Sequence, residues 1–86
     1  MRDLEKTMKA LANRRRLGIV KLLKKDGAVS VADIAREIRL SFKATSKHLG
    51  VLKAADIVES DQQSVRVFYH LVSAQKPAAA RIIALL

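Results

Sequence analysis

The stretch Ser41-Phe42-Lys43-Ala44-Thr45-Ser46-Lys47-His48-Leu49-Gly50-Val51-Leu52 decides how the rest of the chain is read. Ser41 is a good N-cap, because its hydroxyl can accept a hydrogen bond from a free backbone N–H of the first helical turn. Thr45 (through its methyl), Leu49 and Leu52 recur at i, i+4, i+7, the spacing of one buried helix face, with His48 and Val51 at its margin. Lys43, Ser46, Lys47 and Gly50 recur at i, i+3, i+4, i+7 on another face. That face carries two cations, one hydroxyl and one residue without a side chain, and Phe42 flanks it at the helix start. A helix that lays its N-terminal half in the major groove needs such a face. Lysine contacts guanine edges or phosphate, and serine bonds to several bases. A plain solvated face looks the same in isolation, so the surroundings decide between the two.

Immediately upstream, Val31, Ile34, Ala35 and Ile38 form the stripe of a short helix behind Ser30, with Asp33 where a capping box has Glu. Arg39-Leu40 is a tight connection to the helix that starts after Ser41 and runs to about Ala55. Further upstream, Asn13 caps a helix whose stripe is Leu17, Val20 and Leu23, widened by Ile19 and Leu22, and Lys24, Lys25 and Gly27 suit its C-terminus. Leu4, Met8 and Leu11 mark one face of a first helix. After Asp56 the apolar period changes from helical to alternating. Ile57-Val58-Glu59 begins one strand, and Val65, Val67, Tyr69 and Leu71 alternate with Arg66, Phe68 and His70 in a second. Ser60 to Ser64 reads as the hairpin turn between them. Ser73 is expected to cap a final helix, with Pro77 tolerated in its first turn. The order α-α-α-α-β-β-α is mainly α with a small β-hairpin: a winged helix-turn-helix, one domain over residues 1–86.

Composition narrows the partner. The chain has 17 Lys and Arg against 8 Asp and Glu, a net charge of +9, and a field of that sign draws polyanions. The charge is weighted to the front: residues 1–27 carry net +6 and residues 57–86 only +1. Aromatics are limited to Phe42, Phe68 and Tyr69, too few for the stacking platforms of single-strand binders, so duplex DNA is favoured. There is no cysteine, which removes disulfides, thiol switches and Cys-based zinc sites. The charged start MRDLEKTM does not read as a signal peptide, and no apolar run reaches membrane length. A soluble, cytoplasmic protein without a membrane partner is expected.

Arg14, Arg15 and Arg16 fall in the first turn of a helix, where cations oppose the helix dipole. Local helix physics does not explain them; phosphate contacts would, and so would an acidic partner elsewhere in the fold. Arg66 is the one cation of the hairpin, and Asp61 near the expected tip repels phosphate, so the wing is expected to add little affinity.

The segments Leu11–Leu17, Ile34–Ile38, Leu40–Leu52 and Val65–Leu71 together resemble the ArsR/SmtB family of winged-helix transcriptional repressors, most specifically in the Ser41–Leu52 run with its Ser46-Lys47-His48-Leu49 centre. The resemblance implies a homodimer joined through the first and last helices and repression by binding a partly palindromic operator. Many members of that family sense metals. The cysteine pair of one such site would fall at Ser30 and Ala32, and the Asp/His site of the last helix has no Asp, Glu or His to use, so no metal is expected. Asp56 stands where the family usually has glycine, and Gln62 and Gln63 stand where its wing tip usually has glycine and arginines.

The DNA-binding set is therefore Ser41, Phe42, Lys43, Ser46, Lys47, Gly50, Arg14, Arg15, Arg16 and Arg66. Residues 1–12 and 73–86 are expected to be dimerisation helices, with Leu4, Met8, Leu11, Ile82, Ile83, Leu85 and Leu86 at the interface, since a small domain should not leave these apolar residues in water. A winged-helix protein-interaction module docking on an acidic partner is the alternative. His48 and His70 lie in different elements, and no nucleophile–base pair, paired carboxylate or phosphate-cradling loop points to an enzyme or a cofactor.

Overall fold

The computed structural model describes all 86 residues, Met1–Leu86. Five helices and three strands follow in the order α1 (Arg2–Leu11), α2 (Arg14–Asp26), β1 (Val29–Ser30), α3 (Val31–Ile38), α4 (Phe42–Ala54), β2 (Val58–Gln63), β3 (Arg66–Leu71) and α5 (Pro77–Ala84). The winged helix-turn-helix expected from the sequence is the observed fold.

The caps seat the helices. Asn13 accepts from the Arg16 N–H, Ser30 from Asp33 and Ser41 from Ala44, each the hydrogen bond that a helix N-terminus leaves open. At the other ends, Gly27 (φ 79°) stops α2 and Arg39 (φ 55°) turns α3 into α4. Asp56 takes φ 60° after α4. The left-handed region costs a non-glycine residue about 1–2 kcal/mol, and Asp56 offsets part of it: Lys76 Nζ lies 3.3 Å from its carboxylate and 3.8 Å from that of Asp3, tying α1 and α5 to the end of α4.

One core holds the domain together. Ile19, Val20 and Leu23 of α2, Val31 and Ile34 of α3, and Leu49 and Leu52 of α4 pack with Ile57, Val58, Ala79 and Ile83. Burying such side chains contributes roughly 1.5–3 kcal/mol each. Thr45 is fully buried beside Leu49 and Leu52, as the helical spacing requires, although its hydroxyl finds no hydrogen-bond partner.

The structure differs from the expectation in three ways. Its sheet has three antiparallel strands in the order β1-β3-β2. The two-residue β1 pairs Val29 with Tyr69 and Ser30 with Phe68, so the wing is stitched to the start of α3. A strand of two residues shows no period in the sequence. Second, Ser60 to Gln63 are not the turn: β2 runs through them, with Ser60 opposite Tyr69, Asp61 opposite Phe68 and Gln63 opposite Arg66. The tip is Ser64-Val65, with Ser64 at φ 59° and Val65 90% exposed, so Val65 belongs to the turn and not to the strand. Polar side chains extend the strand because its outer residues face water. Third, Ser73 does not cap α5. Lys76 precedes the helix, and Pro77 sits at its first position, where the missing N–H costs nothing.

Candidate nucleic-acid interface

The α4 surface opposite the core is open. Phe42 is 60% exposed, and Lys43, Lys47, Gly50 and Val51 are exposed, while Ser46 is half-buried. Ser41 is exposed too, its hydroxyl held by the cap at 3.1 Å from the Ala44 nitrogen. No hydrogen bond or ion pair within the chain engages the ammonium groups of Lys43 and Lys47. They therefore stand as unneutralised charges at the start of a helix whose N-terminal dipole adds to the positive potential. A Cβ placed on Gly50 meets nothing within 4 Å, so no neighbour inside the chain requires glycine there. The mid-helix glycine is a loss of roughly 1 kcal/mol against alanine that intramolecular packing does not explain.

The three arginines of the first turn of α2 separate in role. Arg14 is exposed. Arg15 donates from Nη1 to the Ile38 carbonyl at 3.1 Å. Arg16 is committed inward: Nε donates to the Ala10 carbonyl at 2.6 Å, Nη2 to the Lys9 carbonyl at 3.2 Å, and Nη1 reaches His48 Nδ1 at 3.2 Å. Their partners are the carbonyls that α1 and α3 leave open at their C-terminal ends, where a cation also suits the dipole. For Arg15 and Arg16 the ends of neighbouring helices, not a carboxylate, answer the cation, a pairing that a linear reading does not bring together. Guanidinium has no acceptor, so His48 Nδ1 accepts and the neutral ring carries its proton on Nε2. Desolvation holds the His48 pKa below its ordinary value, and the charges of Arg16 and Arg15 push it the same way.

Arg66 is exposed but tethered to the start of α3. Its Nη2 lies 2.8 Å from Ser30 Oγ and 3.3 Å from the Asp33 carboxylate, and its guanidinium sits 5.2 Å from the Phe68 ring centroid. Asp33 is shared with Arg36 at 2.7 Å, so its carboxylate serves this network and not a reciprocal capping box. Desolvation draws the Asp33 pKa up, but the Ser30 hydroxyl and the Arg36 and Arg66 charges outweigh it, and the net shift is downward. Asp61 meets His70 Nε2 at 3.2 Å, which places His70 over the outer face of the wing.

Of the expected interface residues on α1 and α5, Leu4 (45%), Met8 (54%) and Leu85 (86%) are exposed, and Ile82 and Leu86 are half-buried. Leu11 and Ile83 are corrected: at 2% and 9% exposure they belong to the domain's own core. Leu11 closes the α1–α2 junction, and Ile83 faces inward from a short helix whose opposite side carries Leu85. Met8, Ala12, Leu17 and Ile82 line a shallow apolar depression of about 230 Å³ over Leu11.

No group of three or more His, Asp or Glu side chains is placed to hold a metal. No helix is long and apolar enough to cross a membrane. A feature absent from the sequence reading is a small cleft of about 120 Å³ between the wing and α3–α4, bordered by Phe42, Val65, Val67, Val31 and Ala32.

Comparison with known proteins agrees with this geometry. A family described as a helix-turn-helix domain matches residues 11–61. The transcriptional activator HlyU of Vibrio cholerae is 34% identical over 76 residues, spanning 88% of this chain and 69% of HlyU. The structure of reduced HlyU superposes with a TM-score of 0.83, covering 98% of this chain and 84% of that one at 33% identity. A homodimeric winged helix-turn-helix DNA-binding domain of Mycobacterium bovis, described as a possible ArsR-family regulator, gives a TM-score of 0.83 at 32% identity over 96% of this chain and 73% of that one. The transcriptional repressor PagR of Bacillus anthracis gives 0.79 at 26% identity over 98% of this chain and 92% of that one. With its tri-helical core, its capped fourth helix and its three-stranded wing, the chain belongs to the ArsR/SmtB-type winged helix-turn-helix transcriptional regulators.

Proposed function

We infer that this chain binds a partly palindromic duplex operator as a homodimer and that the α4 face of Phe42, Lys43, Ser46, Lys47 and Gly50 reads it. The carrying observation is that Lys43 and Lys47 stand exposed and unpaired on α4, the second helix of the helix-turn-helix, in a chain similar to the regulators HlyU and PagR and to the M. bovis DNA-binding domain. Ser41, the cap of α4, and the exposed Arg14 at the start of α2 suit phosphate contacts. Arg15 supplements them with the donors left free by Ile38, whereas Arg16 and Arg66 hold the scaffold and belong to positioning. Two copies related by a two-fold axis present their helices to successive major grooves roughly 34 Å apart. Bound over a promoter, such a dimer represses by occupancy.

The test is a gel-shift against a duplex selected from a random pool. Lys43→Glu and Lys47→Glu should each lose more than about tenfold in affinity, since a cation–phosphate or cation–base contact is replaced by repulsion, and the salt slope should fall by about 0.9 per phosphate contact removed. The dimer should survive in sedimentation. Both variants binding like wild type would refute the assigned face. Tight capture of an acidic protein with no preferred duplex would instead favour the interaction-module reading.

A further inference from the structure

Seven large apolar side chains are strongly exposed, and they divide between places. Met1, Leu4, Met8 and Leu85 belong to the α1–α5 side. Val51 (42%) lies farther along α4, and Phe42 (60%) and Val65 (90%) border the same small cleft, one from the first position of α4 and one from the wing tip, with Val31, Ala32 and Val67 also lining it. Nothing inside the chain covers Phe42, and its neighbour Lys43 is exposed and unpaired, so the aromatic is continuous with the cationic face.

We propose that Phe42 reads thymine by its 5-methyl group. This rests on the assignment of α4 to the major groove. The methyl of thymine is the one apolar group that base pairs display there, and a ring at the N-terminal end of a recognition helix reaches base edges first. The apolar cleft behind the ring, of about 120 Å³, accepts a methyl and offers no charged group except Arg66, whose guanidinium is already held by Ser30 and Asp33. Phe42 then supplies sequence preference, while Lys43 and Lys47 supply most of the attraction.

The experiment replaces single thymines of the selected duplex with deoxyuridine, which removes only the methyl. Wild-type protein should lose about fourfold in affinity at one thymine of each half-site, the ratio corresponding to ~0.8 kcal/mol for one buried methylene-sized group. Phe42→Ala should bind the thymine duplex more weakly and show no further loss with uracil at that position. Its melting temperature should match wild type, because the ring packs on little. An equal uracil penalty in Phe42→Ala, or wild-type affinity of Phe42→Ala for the thymine duplex, overturns the proposal. The Lys47→Glu arm separates the two levels. If Lys47→Glu loses binding while Phe42→Ala does not, methyl reading alone fails. If neither variant differs from wild type, the α4 assignment fails with it.

Discussion

Gly50 and Gly18 make a matched pair at the scale of single residues. Both sit inside helices, and at both a Cβ would meet only open space. Alanine at either should stabilise the fold by roughly 0.5–1 kcal/mol through the unfolded chain and helix propensity, a rise of about 2–8 °C in a domain of this size. The two should part in function: Gly50→Ala should weaken operator binding several-fold, and Gly18→Ala should leave it unchanged. Thermal melting and gel-shift on the same preparations check both. His48 gives a second residue-scale expectation. Its pKa is held below the ordinary 6.5, by desolvation first and then by Arg16 and Arg15. Between that lowered value and 6.5 the unfolded chain takes up a proton that the folded chain refuses, so stability is full above about pH 7 and declines as the pH falls. His48→Asn keeps an acceptor for Arg16 and should flatten that part of the melting-temperature profile. The sequence showed His48 at the margin of the core; it could not show Arg16 waiting opposite, 32 positions away.

At the scale of elements, helices were more legible than strands, for a physical reason. A helix repeats its buried face within four residues, and Asn13, Ser30 and Ser41 announce three of the starts. Strand ends depend on partners elsewhere in the chain. β1 exists only because β3 lies beside it, and Ser60 to Gln63 stay extended because β3 offers them a ladder. Pro77, not Ser73, marks the start of α5, since Gln75 turns inward to donate to the Ile57 and Val72 carbonyls at 2.8 Å and keeps the preceding segment irregular. The wing is fastened through Asp33, whose pKa is drawn down from 3.8 by the Ser30 hydroxyl and the Arg36 and Arg66 charges against its desolvation. A lowered carboxylate contributes stability that is present above the ordinary value and lost as the pH falls through the folded one. Asp33→Asn should therefore lower the melting temperature slightly at neutral pH, and the difference from wild type should close as the pH falls below the ordinary 3.8 and through the lower folded value.

The whole molecule measures 37 × 22 × 22 Å with a radius of gyration of 12.0 Å, and its exposed Leu4, Met8 and Leu85 belong to α1 and the end of α5. The sequence rightly put apolar residues there. It could not divide those facing inward, Leu11 and Ile83, from those facing out, because Leu4, Met8 and Leu11 share one face of α1, and which part of that face the domain covers depends on how α2 and α5 pack against it. Met8→Glu combined with Leu85→Glu should yield a folded monomer in sedimentation, and its operator affinity should drop to that of one half-site. A dimer of unchanged mass would place the interface elsewhere.

The grip of Arg16 has a mechanical consequence. One guanidinium clasps the tail of α1 through the Lys9 and Ala10 carbonyls and touches α4 through His48. In a two-fold pair built on α1, that clasp acts as the caliper between the two reading heads. Arg16→Lys would preserve every charge of the chain yet loosen the jaw setting, so the variant should tolerate operators whose halves are spaced a base pair too near or too far.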